Sequence, residues 1–418
     1  MKLLATNLVK VLTNPEPNPR EIWDLYRHIA DGNPHLLNGL FDADVDPVEV
    51  ADARVPSYMA RIESTPGGQA ILQEFGVNPS RIRTFSQLLD SGMATNKIHL
   101  NTGRSNKGLI PLGHEDFVVR DQVPNLWGCY RTTGTSQKTS DINPETAWHH
   151  YMTYNDQGRI SIHVMTLWKY MLDSAGFDPK STGIYIAVPT KKEEKEIHGT
   201  KIPRWWHILG ELFTRTAEDL GCKCMIKPLG PFNPDQVLDF YEQGDFKNRA
   251  LLASLGAKRG VTDGTDLWDS LEKRSLARGI KPGLVANGGT PIPNGYLERI
   301  RDYGALVEDL AGGTEPGIGG GIRPHEPDLW SRGVIFPPIY GCVPVVRYGF
   351  GFGNRRQPLG YDGIGSLAFV NLSSEAMGLP PFEIGDRATV MYTEDRPQFP
   401  QVSFQGRLWD IGRGEGYI

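Results

Sequence analysis

Between residues 183 and 311 short apolar runs alternate with amphipathic segments, and this rhythm restricts the fold more than any other feature of the 418-residue chain. GIYIAVP (183 to 189) and CKCMIKPLG (222 to 230) read as strands, with RWWHILGELFTRTAEDLG (204 to 221) as the amphipathic helix between them. Asn233 and Pro234 open the next helix, which runs through Val237, Leu238 and Tyr241. RALLAS, a helix near 264 to 277, GLVAN, the helix PNGYLERIRDYG and ALVEDL continue the alternation. Strands separated by single helices pair in parallel, so the expected class is α/β with a parallel sheet.

The flanks differ. Asn18 and Pro19 start a helix whose apolar face is Ile22, Leu25, Tyr26 and Ile29, closed by Gly32. Residues 33 to about 120 read as mixed helix and loop. After about 334, SLAFVNL (366 to 372), RATVMYT (387 to 393) and QVSFQGRL (401 to 408) are short strands between turn residues, expected to form an antiparallel sheet or small barrel beside the α/β layer. The expected division is a helical and mixed region over 1–120, an α/β body over 121–333, a β-rich subdomain over 334–410 and a hinge-like end over 411–418.

With 44 Lys+Arg against 49 Asp+Glu the net charge is −5, which argues against a nucleic-acid partner, since a phosphate backbone calls for a basic surplus or stripe. Four cysteines cannot staple a chain of this length and point to a reducing compartment. No run reaches the ~20 apolar residues of a membrane span. The expectation is a soluble cytoplasmic protein.

Five segments carry candidate chemistry. RTTGTSQKTS (131 to 140) clusters hydroxyls around Gly134 with Lys138 among them; such a loop can cradle a polyphosphate, or be a plain turn, and it lacks P-loop spacing. LVANGGTPIP (284 to 293) ends a strand in Gly288 and Gly289, where backbone can approach a ligand or simply turn tightly. VEDLAGGTEPGIGGG (307 to 321) runs a strand into Gly312, Gly313, Thr314 and Glu315, an acid and a hydroxyl suited to Mg²⁺ and phosphate oxygens. FEIGDRATV places Asp386 at the start of a strand, and FQGRLWD places Arg407 after Gly406; a carboxylate and a guanidinium there can bind ribose hydroxyls.

In this order the five segments resemble the signature of the adenylate-forming superfamily of acyl-CoA synthetases, luciferases and peptide-synthetase adenylation domains. With FGVNPSRIRTFSQLLDSGMATNK (75 to 97), the chain is most similar to the branch of phenylacetate-CoA ligases and luminescence acyl-protein synthetases. The resemblance implies the N-terminal domain of that fold: parallel sheets with crossover helices plus a β-rich subdomain. It implies that Thr132, Thr133, Gly134, Thr135, Ser136 and Lys138 wrap the phosphates of ATP, and that Gly288 and Gly289 lie against the adenine and acyl pocket. Gly312 and Thr314 would border the phosphates, Glu315 would hold Mg²⁺, Asp386 the ribose, and Arg407 would assist. Lys138, Thr314 and Glu315 would be the catalytic set. The implied partners are ATP and a carboxylic acid, with CoA, a carrier-protein thiol or an amine as acceptor.

The chain departs from the pattern at Gln137, where a second loop glycine is usual, at Ser140, where a lysine is usual, and at Ala311, where an adenine-stacking tyrosine is usual. Asp410 and GRGEGYI fall where the family's hinge leads into a small lysine-bearing domain. The resemblance therefore implies a shortened chain, a partner that supplies this domain, or an altered activity such as a non-catalytic nucleotide- or acyl-binding subunit. Elsewhere, KKEEKE (191 to 196) reads as a solvated turn, and Cys222 and Cys224 as buried small residues or half a metal site. His149 and His150 read as helical residues facing different ways, and Trp205, Trp206 and His207 as helix packing or an acyl-pocket wall.

Overall fold

The computed structural model describes residues 2–38, 40, 43, 45–96, 113–131, 148–229, 232–254, 258–259, 262–288, 294–311, 321–323, 334–335, 340–348, 357–393 and 396–407. Helices α1 (Lys2–Thr13) and α2 (Glu21–Ala30) are followed by α3 (Pro47–Glu63), α4 (Pro66–Phe75) and α5 (Phe85–Asp90). Side chains satisfy the free N–H groups at the start of the last three. Asp46 accepts from Val48 N and Glu49 N, Thr65 accepts from Gly68 N, and Thr84 with Gln87 forms a reciprocal box. The short strand β1 (Thr95–Asn96) ends this helical region.

Strands β2 (Leu126–Arg131) and β3 (His149–Thr153) form an antiparallel pair, and α6 (Tyr154–Ser174) follows directly. The α/β body then runs β4 (Thr182–Ile186), the hairpin β5 (Lys192–Ile197) and β6 (Thr200–Trp205), α7 (Ile208–Asp219), β7 (Lys223–Ile226), α8 (Pro234–Gln243) and β8 (Asn248–Ala253). A small pair, β9 (Lys258–Arg259) and β10 (Thr262–Asp263), precedes α9 (Gly264–Arg278), β11 (Leu284–Gly288), α10 (Asn294–Asp302) and β12 (Leu306–Ala311). The remainder is strand: β13 (Gly321–Arg323), β14 (Val334–Ile335), β15 (Cys342–Tyr348), β16 (Leu359–Gly360), β17 (Gly363–Asn371), β18 (Phe382–Thr393) and β19 (Arg396–Arg407).

The five strands β7, β4, β8, β11 and β12 lie side by side and all parallel. Numbered by appearance this is order 2-1-3-4-5, a doubly wound arrangement whose connections reverse direction between β4 and β8. Side chains alternate between its faces as a period of two requires. Ile184, Ile186, Ala250, Leu252, Leu284 and Ala286 join the core under α2, α6 and α7, whereas Tyr185, Leu251, Val285 and Val307 join that under α8, α9 and α10. At β12 the ladder turns antiparallel and continues through β13, β14, β19, β18, β17, β15 and β16, so thirteen described strands, β1 included, share one sheet. A second sheet has the order β3-β2-β6-β5.

Every residue of α6 from Asn155 to Trp168 is buried. It packs so closely on α2 that a Cβ at Gly158 would stand 2.7 Å from the backbone of Ile22 and Trp23. Asp156, 8 % exposed, ties this helix to the β-rich part: its carboxylate accepts from Thr153 N and Ala376 N at 3.0 Å and from Glu375 N at 2.9 Å. Beside it, burial and then the charge of Asp156 push the Glu375 carboxyl up to about 7.

Two predictions follow from α6. Alanine in place of glycine ordinarily gains about 0.5–1 kcal/mol inside a helix, but at Gly158 it meets backbone that cannot swing away. Gly158→Ala is therefore expected to cost about 1–3 kcal/mol net, read as a lower urea midpoint. Glu375 has a raised folded pKa, so the native state holds a proton that the unfolded chain releases, and its contribution is full below about 4.5 and fades as pH rises through about 7. Glu375→Gln should gain stability relative to the parent on going from pH 5 to pH 8, in paired denaturant titrations.

Candidate functional site

In open parallel sheets ligands gather at the carboxyl ends of the strands where the winding reverses. Here that edge is built from Ile186–Ala187, Ala253–Ser254, Asn287–Gly288 and Leu310–Ala311, held level by the register Asn287↔Ala253 and Gly288↔Leu310 and by Ala187 N donating to Leu252 O at 2.7 Å. The start of α7 lies over it. A Cβ at Gly288 would stand 3.0 Å from Leu209 Cδ1, and one at Gly210 would stand 2.9 Å from Val188 O and the Thr190 Cβ. Glycine at 288 and 210 thus lets this helix settle on the strand ends. Thr190 Oγ1 and Ser254 Oγ are buried on this edge and make no hydrogen bond among the described residues. Such hydroxyls mark where a bound polar group would be held.

The second wall is the β2–β3 hairpin. Arg131, the last residue of β2, lies over the Trp206 ring at 4.3 Å, with Lys191 5.0 Å from the same ring. His149 opens β3 with its ring 4.4 Å from that of His114 and its Nε2 3.5 Å from the Arg204 guanidinium. Burial first, and the cations around it second, hold the His149 pKa down to about 2, so it is a neutral ring. The residues between Arg131 and Trp148 include Thr132, Thr133, Gly134, Thr135, Ser136, Gln137, Lys138 and Ser140, all outside the described residues, but both ends of the segment emerge from this hairpin.

Asp386 and Arg407 are brought together. They are opposite partners on the neighbouring antiparallel strands β18 and β19, and Asp386 is 6 % exposed. Gly385 before it has φ +88°, and the register shifts between Arg387 and Ala388, so the strand kinks where Asp386 leaves it. Asp386 lies in the interior of a twelve-residue strand rather than at its start, because the run FEI pairs with β17 and with β1. Gly288 stands at the strand end already described. Strands β12, β13, β14 and β19 separate β11 from β18, a contour of five steps of about 4.8 Å, roughly 24 Å along the sheet. Gly289, Gly312, Thr314, Glu315 and Asp410 lie outside the described residues, so among the described ones no metal ligand set is drawn; no group of three or more His, Cys, Asp or Glu is placed to hold an ion.

Three further expectations are corrected. KKEEKE is an edge strand of a hairpin, its carboxylates and ammoniums alternating between two faces, instead of a turn. The helix expected from Arg204 begins at Ile208, because Arg204 and Trp205 pair with Cys129 and Tyr130 of β2; Trp205 and Trp206 therefore precede the helix. His149 and His150 are strand residues, both buried. Cys222 sits just before β7 and is buried, and Cys224 lies within it, partly buried, in keeping with small packed residues; burial raises both thiols, Cys222 to about 12. No described helix is long and apolar enough to cross a membrane.

The fold is mixed α/β with parallel strands and crossover helices, and it is shared with a solved acyl-CoA ligase. The evidence is structural: no family model matches the sequence, and no curated protein matches it either. Among solved structures, a 2-hydroxyisobutyryl-CoA ligase in an open conformation, in complex with 2-HIB-AMP and CoA, matches over 86 % of this chain and 69 % of its own, at 13 % identity and a TM-score of 0.59. The same ligase in the postadenylation state with 2-HIB-AMP matches over 87 % and 68 %, at 15 % identity and a TM-score of 0.57.

Because Leu209 fills the space that a side chain at 288 would occupy, Gly288→Ala should cost less than about 2 kcal/mol, and much of the loss should be recovered in Gly288→Ala/Leu209→Ala. A double-mutant cycle of unfolding free energies should give a coupling of about 0.5–3 kcal/mol.

Proposed function

We propose that the chain activates a carboxylic acid with ATP and Mg²⁺, forming an acyl-adenylate and releasing pyrophosphate, and then supports transfer of the acyl group to CoA, a carrier thiol or an amine. The observation that carries this reading is the likeness in fold, over 86 % of the chain, to a ligase captured with 2-HIB-AMP and CoA. The buried carboxylate of Asp386 in β18 supports it, since a carboxylate can accept from two ribose hydroxyls. The buried Thr190 and Ser254 hydroxyls at the strand ends suit a polar substrate group.

In this reading a carboxylate oxygen of the substrate attacks the α-phosphorus in line, the new O–P bond forms, and the bond to the pyrophosphate oxygen breaks with its electron pair leaving on pyrophosphate. The residues bind and orient more than they move protons. Thr132, Thr133, Gly134, Thr135, Ser136 and Lys138 would hold the β- and γ-phosphates, Gly312 and Thr314 would border them, and Gly289 would let the backbone approach the nucleotide beyond Gly288, whose own Cα face is packed by Leu209. Among the described residues, the buried Thr190 and Ser254 hydroxyls at the strand ends are the groups that suit a nucleotide's polar atoms. Glu315 would hold Mg²⁺, which supplies neutralisation of phosphate charge when bound. An inactive nucleotide-binding subunit is the alternative outcome of the same test.

Carboxylic acids screened by ATP–pyrophosphate exchange should include at least one that drives exchange. Tight ATP binding with no exchange for any acid would favour the binding-subunit alternative. Asp386→Ala should weaken ATP binding about tenfold or more, with or without Mg²⁺, and Glu315→Gln should weaken only the metal-dependent part. Parent-like ATP binding in both variants would sink the site assignment.

A further inference from the structure

A polar cavity of about 30 Å³ lies where β3, α6 and the turn after β17 meet, and it shares no lining residue with the strand edge described above. It has room for about one or two particles the size of water. Its walls include Arg159, Ser373 and Ser374, with His150, His163 and Asp156. Arg159 and Ser374 are each 5 % exposed, and Arg159 Nε and Ser374 Oγ make no hydrogen bond among the described residues, so two buried donors lack an acceptor. Ser373 is held from two sides: Arg54 Nη1 donates to its Oγ at 2.6 Å and Arg159 Nη1 to its carbonyl at 3.0 Å. Arg61 donates from Nη2 to Leu372 O at 2.7 Å, one residue earlier, and its Nε is a third buried donor without an acceptor among the described residues.

Charge does not balance in this group. Arg54, Arg61 and Arg159 act on one another, and a guanidinium keeps its proton in a folded protein. The carboxylates acting on them among the described residues are Asp156 and Glu375, so a surplus of one positive charge remains even with both ionised and before either histidine is counted. Asp156 already accepts from three backbone N–H groups and lies 3.6 Å from Arg159 Nη1, while Glu375 Oε1 stays 3.9 Å from Arg159 Nη2. Burial, and after it the guanidiniums of Arg159 and Arg61, hold Arg54 well below its ordinary pKa, the mark of a positive charge short of partners. Buried charge of this kind calls for a counter-charge, and a space of this size admits a single atom more readily than a phosphate. We propose that the cavity binds one monatomic halide, chloride under ordinary conditions, which accepts from Arg159 and Ser374 and pins the turn after β17 to α6. The site is structural and independent of the ATP-dependent reading.

Crystals grown with sodium bromide in place of sodium chloride should show a bromide anomalous peak in the cavity, in contact with Arg159 Nε or Ser374 Oγ. In solution, chloride is exchanged for gluconate, which is too large to enter, at a constant ionic strength of about 0.15 M, and the melting temperature is followed. The parent should gain about 1–3 °C in chloride and the gain should saturate. Ser374→Val fills the space with methyl groups and should melt at the same temperature in both salts. Ser374→Ala keeps the space and removes one donor, so it should need about fivefold more chloride for half the rise, the worth of one hydrogen bond. Water alone in the cavity, or an equal response to chloride in the parent and the Ser374 variants, overturns the proposal. A bromide peak with no chloride-dependent rise in the parent marks an adventitious ion only and overturns it as well.

Discussion

The carboxylate of Asp156 accepts hydrogen bonds from three backbone N–H groups drawn from two regions more than 200 residues apart in sequence. Its capping role starts α6, and its contacts with Glu375 and Ala376 dock that helix against the strand-rich second half. An ionised oxygen with several backbone donors is among the stronger local interactions available to a folded chain. Arg159 lies 3.6 Å from it and donates to Ser373 O at 3.0 Å, so the charge is shared within a small buried group. This junction is one of several ties between the N-terminal region and the strand-rich second half, alongside Tyr58 donating to Leu379 O and Arg61 to Leu372 O.

Around α6 the molecule is organised in layers. The central parallel strands β4, β8 and β11 are sheathed on both faces, which is why they read as short apolar runs, while β5 at the margin of the second sheet carries charge on both faces. The site takes its shape from the meeting of these two systems. Helix α7 caps the carboxyl edge of one sheet and is bolted to the other through Glu211, which accepts from the Tyr130 hydroxyl of β2.

Much of the architecture was legible in the sequence because it rests on period. The strands at 182–186, 223–226, 248–253, 284–288 and 306–311 were each found from a short apolar run between turn or helix signals, and the helix after Pro19 shows its buried stripe of Ile22, Tyr26 and Ile29. What failed was pairing. RWWHILGE continues a helical pattern, yet its first two residues belong to β6 because β2 and β5 claim them. KKEEKE has no apolar face to announce a strand, and becomes one only by pairing with 200–205. Asp386 and Arg407 were each readable as turn-adjacent polar residues, but their apposition is a matter of register between two long strands with a bulge. Tyr130 with Glu211, and the hydroxyls of Thr190 and Ser254, carried no signal in their own neighbourhoods; they gain meaning only where distant segments meet.

The unbroken ladder from β11 to β18 has one more effect. Neighbouring strands turn by about 20–25° relative to each other, so five steps accumulate roughly a quarter-turn or more. Side chains that would look the same way on a flat ribbon therefore look around a corner at one another. A molecule touching both Gly288 and the Asp386–Arg407 rung has to be long enough to reach across that corner and supple enough to bend at it, which disfavours compact rigid ligands.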